Sequence, residues 1–156
     1  MKKLLKLTAL SLVFALVFSL AGCSTFNKVQ KALEDIGYAI VESDSDAQAS
    51  SVKENAEEDE RVTNVHVFTN KGSLTGLENM YRTTVIVLEF KKTDDLVEYL
   101  KEDSVASAIL QEVLEEGTVQ EIYATLEAEG LACGNCFIFP FGLDDQNVLD
   151  KIKTLN

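Results

Sequence analysis

"TTVIVLEF", residues 83–90, is the stretch on which the reading of the fold turns. Val85, Ile86, Val87 and Leu88 follow one another without a polar residue. Successive side chains of a strand point to opposite faces, so this run is apolar on both, as expected in the middle of a sheet. Upstream, "RVTNVHVF" (61–68) reads as a strand with Val65 and Val67 on one face. The intervening "TNKGSLTGLENMY" (69–81), with Gly72 and Gly76, reads as a long irregular loop and a candidate contact surface. "YAIVE" (38–42) is a short strand. The segment 43–60 is acidic and rich in Ser and Ala; it is either a weakly packed helix or a mobile acidic segment. Asp44 and Asp46 are spaced as in a calcium loop, but the glycine and closing glutamate of such a loop are absent.

The ends of the chain add helices. Phe26, Val29, Leu33 and Ile36 form one helical stripe, with Thr25 able to cap its start and Gly37 placed to end it. Downstream of the central strand, Thr93 is expected to cap "DDLVEYLKE", and Ser104 to open "VASAILQEVLEE". Thr118 and Glu121 make a capping-box pattern ahead of a helix that closes at Gly130. "CFIFPF" (136–141) is a strand whose Pro140 belongs at an edge or end. Asp144 should cap a last helix carrying Val148, Leu149, Ile152 and Leu155 on its apolar face. Without the terminal helices the order is β–α–β–β–α–β. That predicts an α+β fold in two layers, a ferredoxin-like split βαβ arrangement with extra N- and C-terminal helices.

The first residues speak to location. "MKKLLK" is basic, and "LTALSLVFALVFSL" (7–20) is an apolar run too short to span a bilayer as a helix, which takes about 20 residues. It ends at Leu20-Ala21-Gly22-Cys23. This tetrapeptide, placed directly after a basic and apolar leader, resembles the lipobox of bacterial lipoprotein precursors. The resemblance implies that residues 1–22 are a signal peptide removed on export and that Cys23 carries the lipid. It also implies that residues 23–156 form one extracytoplasmic domain on the cell membrane. Two acyl chains would anchor it stably, at roughly 0.8 kcal/mol per buried CH₂. The mature part is also similar in layout, through "GNC" and "IFPFG", to small lipoproteins of low-GC Gram-positive bacteria, a likeness that carries no activity.

The leader holds three of the 14 Lys and Arg and none of the 26 Asp and Glu, so the mature chain has a net charge of −15. Such a charge repels phosphate backbones, and no basic patch interleaves with aromatics, so nucleic acid is not an expected partner. It should also hold the body of the domain off anionic headgroups. Yet the first helix begins almost at Cys23, which keeps the domain close to the bilayer.

Enzymatic chemistry finds little footing. A Ser or Cys nucleophile needs a base, and the single histidine, His66, sits between valines on a strand, where a hydrogen-bonded or solvent-side role fits it better. A zinc site from Cys133, Cys136 and His66 lacks a fourth ligand. Phosphate loops and HExxH are absent, so no catalytic residue, cofactor or metal is expected. The remaining expectation is a monomeric, non-enzymatic module that binds an envelope protein or a small ligand. The alternative is an extracytoplasmic thiol oxidoreductase using Cys133 and Cys136. These two cysteines flank Gly134-Asn135, a two-residue turn that would bring them within disulfide reach. A redox pair of the thioredoxin kind opens a helix; here the pair follows one and leads into a strand, which favours a structural disulfide or two plain thiols.

Overall fold

The apolar run at 83–90 is buried on both of its faces. The computed structural model describes residues 25–41, 47–70, 83–103, 107–108, 110–114, 117–142 and 145–156. In chain order these give α1 (residues 25–35), β1 (Tyr38–Val41), α2 (Ala47–Glu57), β2 (Val62–Asn70) and β3 (Thr84–Phe90). Then come α3 (Thr93–Glu102), the single turn α4 (Gln111–Leu114), α5 (Val119–Ala128), β4 (Ala132–Cys133), β5 (Cys136–Phe141) and α6 (Asp145–Lys153). The strands form one antiparallel sheet in the order β1-β2-β3-β5-β4.

All seven residues of β3 are buried. Ile86, Leu88 and Phe90 face one core with Ala56, Leu96, Leu100, Ile122, Leu126, Phe137 and Phe139. Val85 and Val87 face the other, with Val29, Leu33, Tyr38, Phe68, Ile138, Val148 and Ile152. The first core is roofed by α2, α3, α4 and α5, and the second by α1 and α6. The class is α+β as expected, but the layers number three, because the terminal helices are not appendages. They cover a face that is as apolar as the first. The amphipathic stripes of these helices are largely as read from their spacing: Val29, Leu33, Val148 and Ile152 are fully buried, with Phe26, Ile36 and Leu155 packed at the margin, whereas Leu149 is half-buried and belongs to neither core.

The strand order departs from the ferredoxin-like arrangement. There β1 would lie in the middle of the sheet, parallel to the strand that follows its helix; instead it pairs antiparallel with β2 at one edge. The strand is short, as edge strands are, and in this place Ile40 is left 44% exposed. A split β–α–β unit does occur, in the second half. β4 runs parallel to β3 with β5 between them, and α3 to α5 make the crossover. The two-residue β4 has no signal of its own in the sequence. Pro140 pairs with Val85 on its inner side and stands beyond the reach of β4, so its missing N–H costs the ladder nothing.

Several local expectations are settled. The acidic segment is helical over Ala47–Glu57, with Ala56 fully buried; residues 42–46 lie outside the described residues. Thr93 is the first residue of α3, and Lys92 holds the cap position without a side-chain bond. The box at Thr118 is present in full, with Thr118 Oγ1 accepting from Glu121 N and the Glu121 carboxylate accepting from Thr118 N at 2.8 Å. β2 continues through Thr69 and Asn70, and the remainder of the expected contact loop, residues 71–81, lies outside the described residues. So do the expected caps Ser104 and Asp144.

Gly130 ends α5 with φ +77°, its N–H bonded to Glu127 O and that of Leu131 to Leu126 O. That is a Schellman closure, and it seats α5 against α6 so tightly that a Cβ on Gly130 would stand 2.3 Å from Leu149 O. Gly130→Ala should therefore destabilise the domain by roughly 2–4 kcal/mol, through a left-handed backbone and overpacking together. Chemical denaturation of the two proteins measures this; a loss below about 1 kcal/mol would mean α6 can move aside.

Candidate functional site

Chemistry-bearing side chains converge on the face of the sheet beneath α1. Glu89, the one acid of β3, lies opposite Cys136 of β5, and Cys136 lies opposite Cys133 of β4. On the other side His66 of β2 reaches across, its Nε2 2.7 Å from Glu89 Oε1. A line of His66, Glu89, Cys136 and Cys133 thus crosses four strands. Phe26 of α1 closes one end of it, stacked on the His66 imidazole with ring centroids 3.8 Å apart and planes 18° from parallel.

The turn between the cysteines fixes the geometry. Gly134 takes φ +54° while Asn135 does not take a positive φ, the pattern of a type II′ hairpin turn with glycine first. Asn135 extends the ladder of β3: its carbonyl accepts from Phe90 N at 2.9 Å and its Nδ2 donates to Phe90 O at 2.7 Å. The Tyr123 hydroxyl donates to Gly134 O at 2.7 Å. A Cβ on Gly134 would stand 2.7 Å from Thr25 Cγ2, so the start of α1 rests directly on the turn.

Cys133 and Cys136 are both free thiols, 5% and 0% exposed. As directly opposed residues their Cβ atoms lie about 4.5–5.5 Å apart, at the outer edge of what a disulfide spans. Burial pushes the Cys133 thiol up, as does Glu127, against a smaller opposing pull from Lys28. The Cys136 thiol is pushed up further, by burial first and then by Glu89 and Cys133. The C-terminal end of α5, not a helix N-terminus, precedes the pair. Thiolate, the nucleophile of every thiol–disulfide exchange, is thereby suppressed in both residues.

Of the solvent-side and hydrogen-bonded roles expected for His66, it takes the second: its partner is the largely buried Glu89, an acid that sequence reasoning passed over. Glu89 stands on the same face as Val87, and only an unexpected acid in an otherwise apolar strand could have signalled it. Among the described residues no group of three or more His, Cys, Asp or Glu is arranged to hold a metal ion, so Glu89 does not complete the zinc set. A shallow depression elsewhere, lined by Glu58, Asp59, Glu60, Arg61 and Glu102, has its cation already engaged. Arg61 Nη2 donates to Asp59 and Glu102 at 2.7 Å each, and the guanidinium lies over the Tyr99 ring. Among the described residues no helix is long and apolar enough to cross a membrane; Cys23 and its leader lie outside them.

No protein-family model, curated protein or solved structure matches this chain.

The raised thiols make a kinetic expectation. The reduced protein should react with a maleimide at least about tenfold more slowly than free cysteine at about pH 7, and should not reduce insulin. Unfolded thiols ionise near 9.0 while the folded ones stay protonated, so the reduced domain should also lose stability as pH rises above that value. Urea midpoints on either side of it test the point. Rapid alkylation of Cys133 at about pH 6 would instead mark an activated thiol.

Proposed function

We propose that this chain is an extracytoplasmic lipoprotein, held on the cell membrane by acyl chains on Cys23, whose domain is a non-enzymatic binding module for an envelope protein or a small ligand. The observation that supports it most is the junction of leader and fold. The lipobox pattern Leu20-Ala21-Gly22-Cys23 stands two residues before Thr25, which is already helical and packed on the Gly134 turn. Cleavage before Cys23 would therefore leave every described element intact, as a removable leader requires.

The thiol-oxidoreductase alternative draws support from the cysteine pair alone, and the burial and raised protonation of both sulfurs weigh against it. Outside the cytoplasm we assign the pair a structural part. During folding, before the corner closes over the sulfurs, a disulfide donor of that compartment exchanges with the two thiols, leaving a Cys133–Cys136 bond and a reduced donor dithiol that has taken up the two thiol protons. The ring so closed is small, so its entropic contribution is only about 2 kcal/mol.

Growth of the native cell with an alkyne fatty acid should label the protein, and Cys23→Ala should abolish both the label and retention in the membrane fraction. Label retained in the Ala variant would overturn the reading.

A further inference from the structure

The net charge of the mature chain is unevenly distributed, and the unevenness has a direction. Across the sheet, α2, α3 and α5 carry eight carboxylates and two lysines. On the other side, α1 and α6 carry four carboxylates and four lysines. The two helices of this second layer run antiparallel, with Leu155 beside Lys28 and Lys31, and Lys151 beside Asp35. Between them lies a shallow groove of about 150 Å³ lined by Lys28, Lys31, Ala32, Asp35, Lys151 and Leu155. Asp35 engages Lys151 at 3.4 Å, and Lys153 bridges Glu129 and Asp150. Lys28 and Lys31 are exposed and in no ion pair among the described residues.

The chain outside the described fold fixes where this groove can go. From Cys23 to Thr25 the backbone spans at most about 7 Å. Lys28 rises roughly 4.5 Å along α1 from Thr25, and Lys31 roughly 9 Å. An anchor on Cys23 therefore keeps Lys28 and Lys31 within at most about 12 and 16 Å of the anchored residue, one to two Debye lengths. The acidic layer stands on the far side of the sheet, where its repulsion by an anionic surface is screened.

We propose that the α1–α6 face is the membrane-apposed surface of the domain, and that its groove receives anionic phospholipid headgroups through Lys28, Lys31 and Lys151. The inference rests on the lipid anchor at Cys23. It replaces the expectation that net charge keeps the body off the membrane: the domain lies on the bilayer with one face and turns its acids outward. The surface left to a protein partner or ligand is then the acidic layer of α2, α3 and α5.

The test uses the acylated protein purified from membranes and reconstituted into vesicles of phosphatidylcholine, with and without phosphatidylglycerol. An impermeant acetylating reagent is applied, and each lysine is read by mass spectrometry. With phosphatidylglycerol, acetylation of Lys28, Lys31 and Lys151 should slow at least about threefold, and high salt should restore it. Lys53 and Lys101 should react at the same rate on both vesicles. The double substitution Lys28→Glu with Lys31→Glu should remove the protection of Lys151 and leave the protein vesicle-bound. Equal labelling of both layers on retained protein overturns the orientation and spares the anchor. Loss of the protein from the vesicles overturns both. Protection that persists in detergent and grows with protein concentration identifies a second copy as the occupant, and overturns the lipid proposal.

Discussion

A central strand that is apolar on both faces demands two roofs, and that demand organises this domain. Val85, Ile86, Val87 and Leu88 are each at most 1% exposed, and burial of such a side chain is worth roughly 1.5–3 kcal/mol. One helical layer could collect only half of that. The second layer has to come from the ends of the chain, since α2 to α5 are committed to the first face by short connections. This is why α1 and α6, remote in sequence, lie together over Val85, Val87 and Ile138. Among the described residues, packing on this core begins at Phe26.

The periodic features were legible and the pairings were not. Strands β1, β2, β3 and β5 and the stripes of α1, α3, α5 and α6 could be read from apolar spacing, as could the capping box at Thr118, whereas α2 stayed open between a helix and a mobile segment. The two-faced composition of 83–90 already contained the third layer, because a strand with no polar face cannot border solvent. The order of strands depended on something weaker, namely the exposure of Ile40 and the two-residue pairing of Ala132–Cys133 with Cys136–Phe137. Neither has a sequence signature. The site was legible in the same measure. The Gly134-Asn135 turn and the cross-strand cysteines follow from local chemistry, whereas the His66–Glu89 contact joins residues on two strands whose register no local pattern specifies.

Four polar bonds between distant parts of the chain gather at one corner of the molecule. Asn135 is joined to Phe90, Tyr123 to Gly134, and the terminal Asn156 Nδ2 to both Glu127 O and Ala132 O. Burial and the neighbouring Glu127 hold the Tyr123 phenol above its ordinary range, so it stays a donor across all physiological pH. These bonds fasten the turn to β3, α5 and the C-terminus at once. A structure so fastened has little freedom to open around its thiols, and thiol exchange requires an attacking group to reach sulfur along the S–S axis. The rigidity of the corner and the protonation of the cysteines point the same way.

Glu89 is the exception that shows how the corner is held together. A carboxylate taken out of water is costly unless it is paired, and removing the partner of a buried charge typically costs about 3–5 kcal/mol. Its partner is His66, and His66 is in turn covered by Phe26 of α1. The docking of α1 therefore does two things: it buries Val29 and Leu33 against the apolar sheet, and it keeps water from competing for the imidazole–carboxylate bond. If α1 lifted, the apolar loss and the exposure of this pair would arrive together. Under the lipid anchor proposed at Cys23, a pull on the chain would reach the contact between Thr25 and the Gly134 turn first, and the stack of Phe26 on His66 next. The polar cluster beneath α1 thus ties that helix to the central strand through a buried acid, a histidine and an aromatic ring.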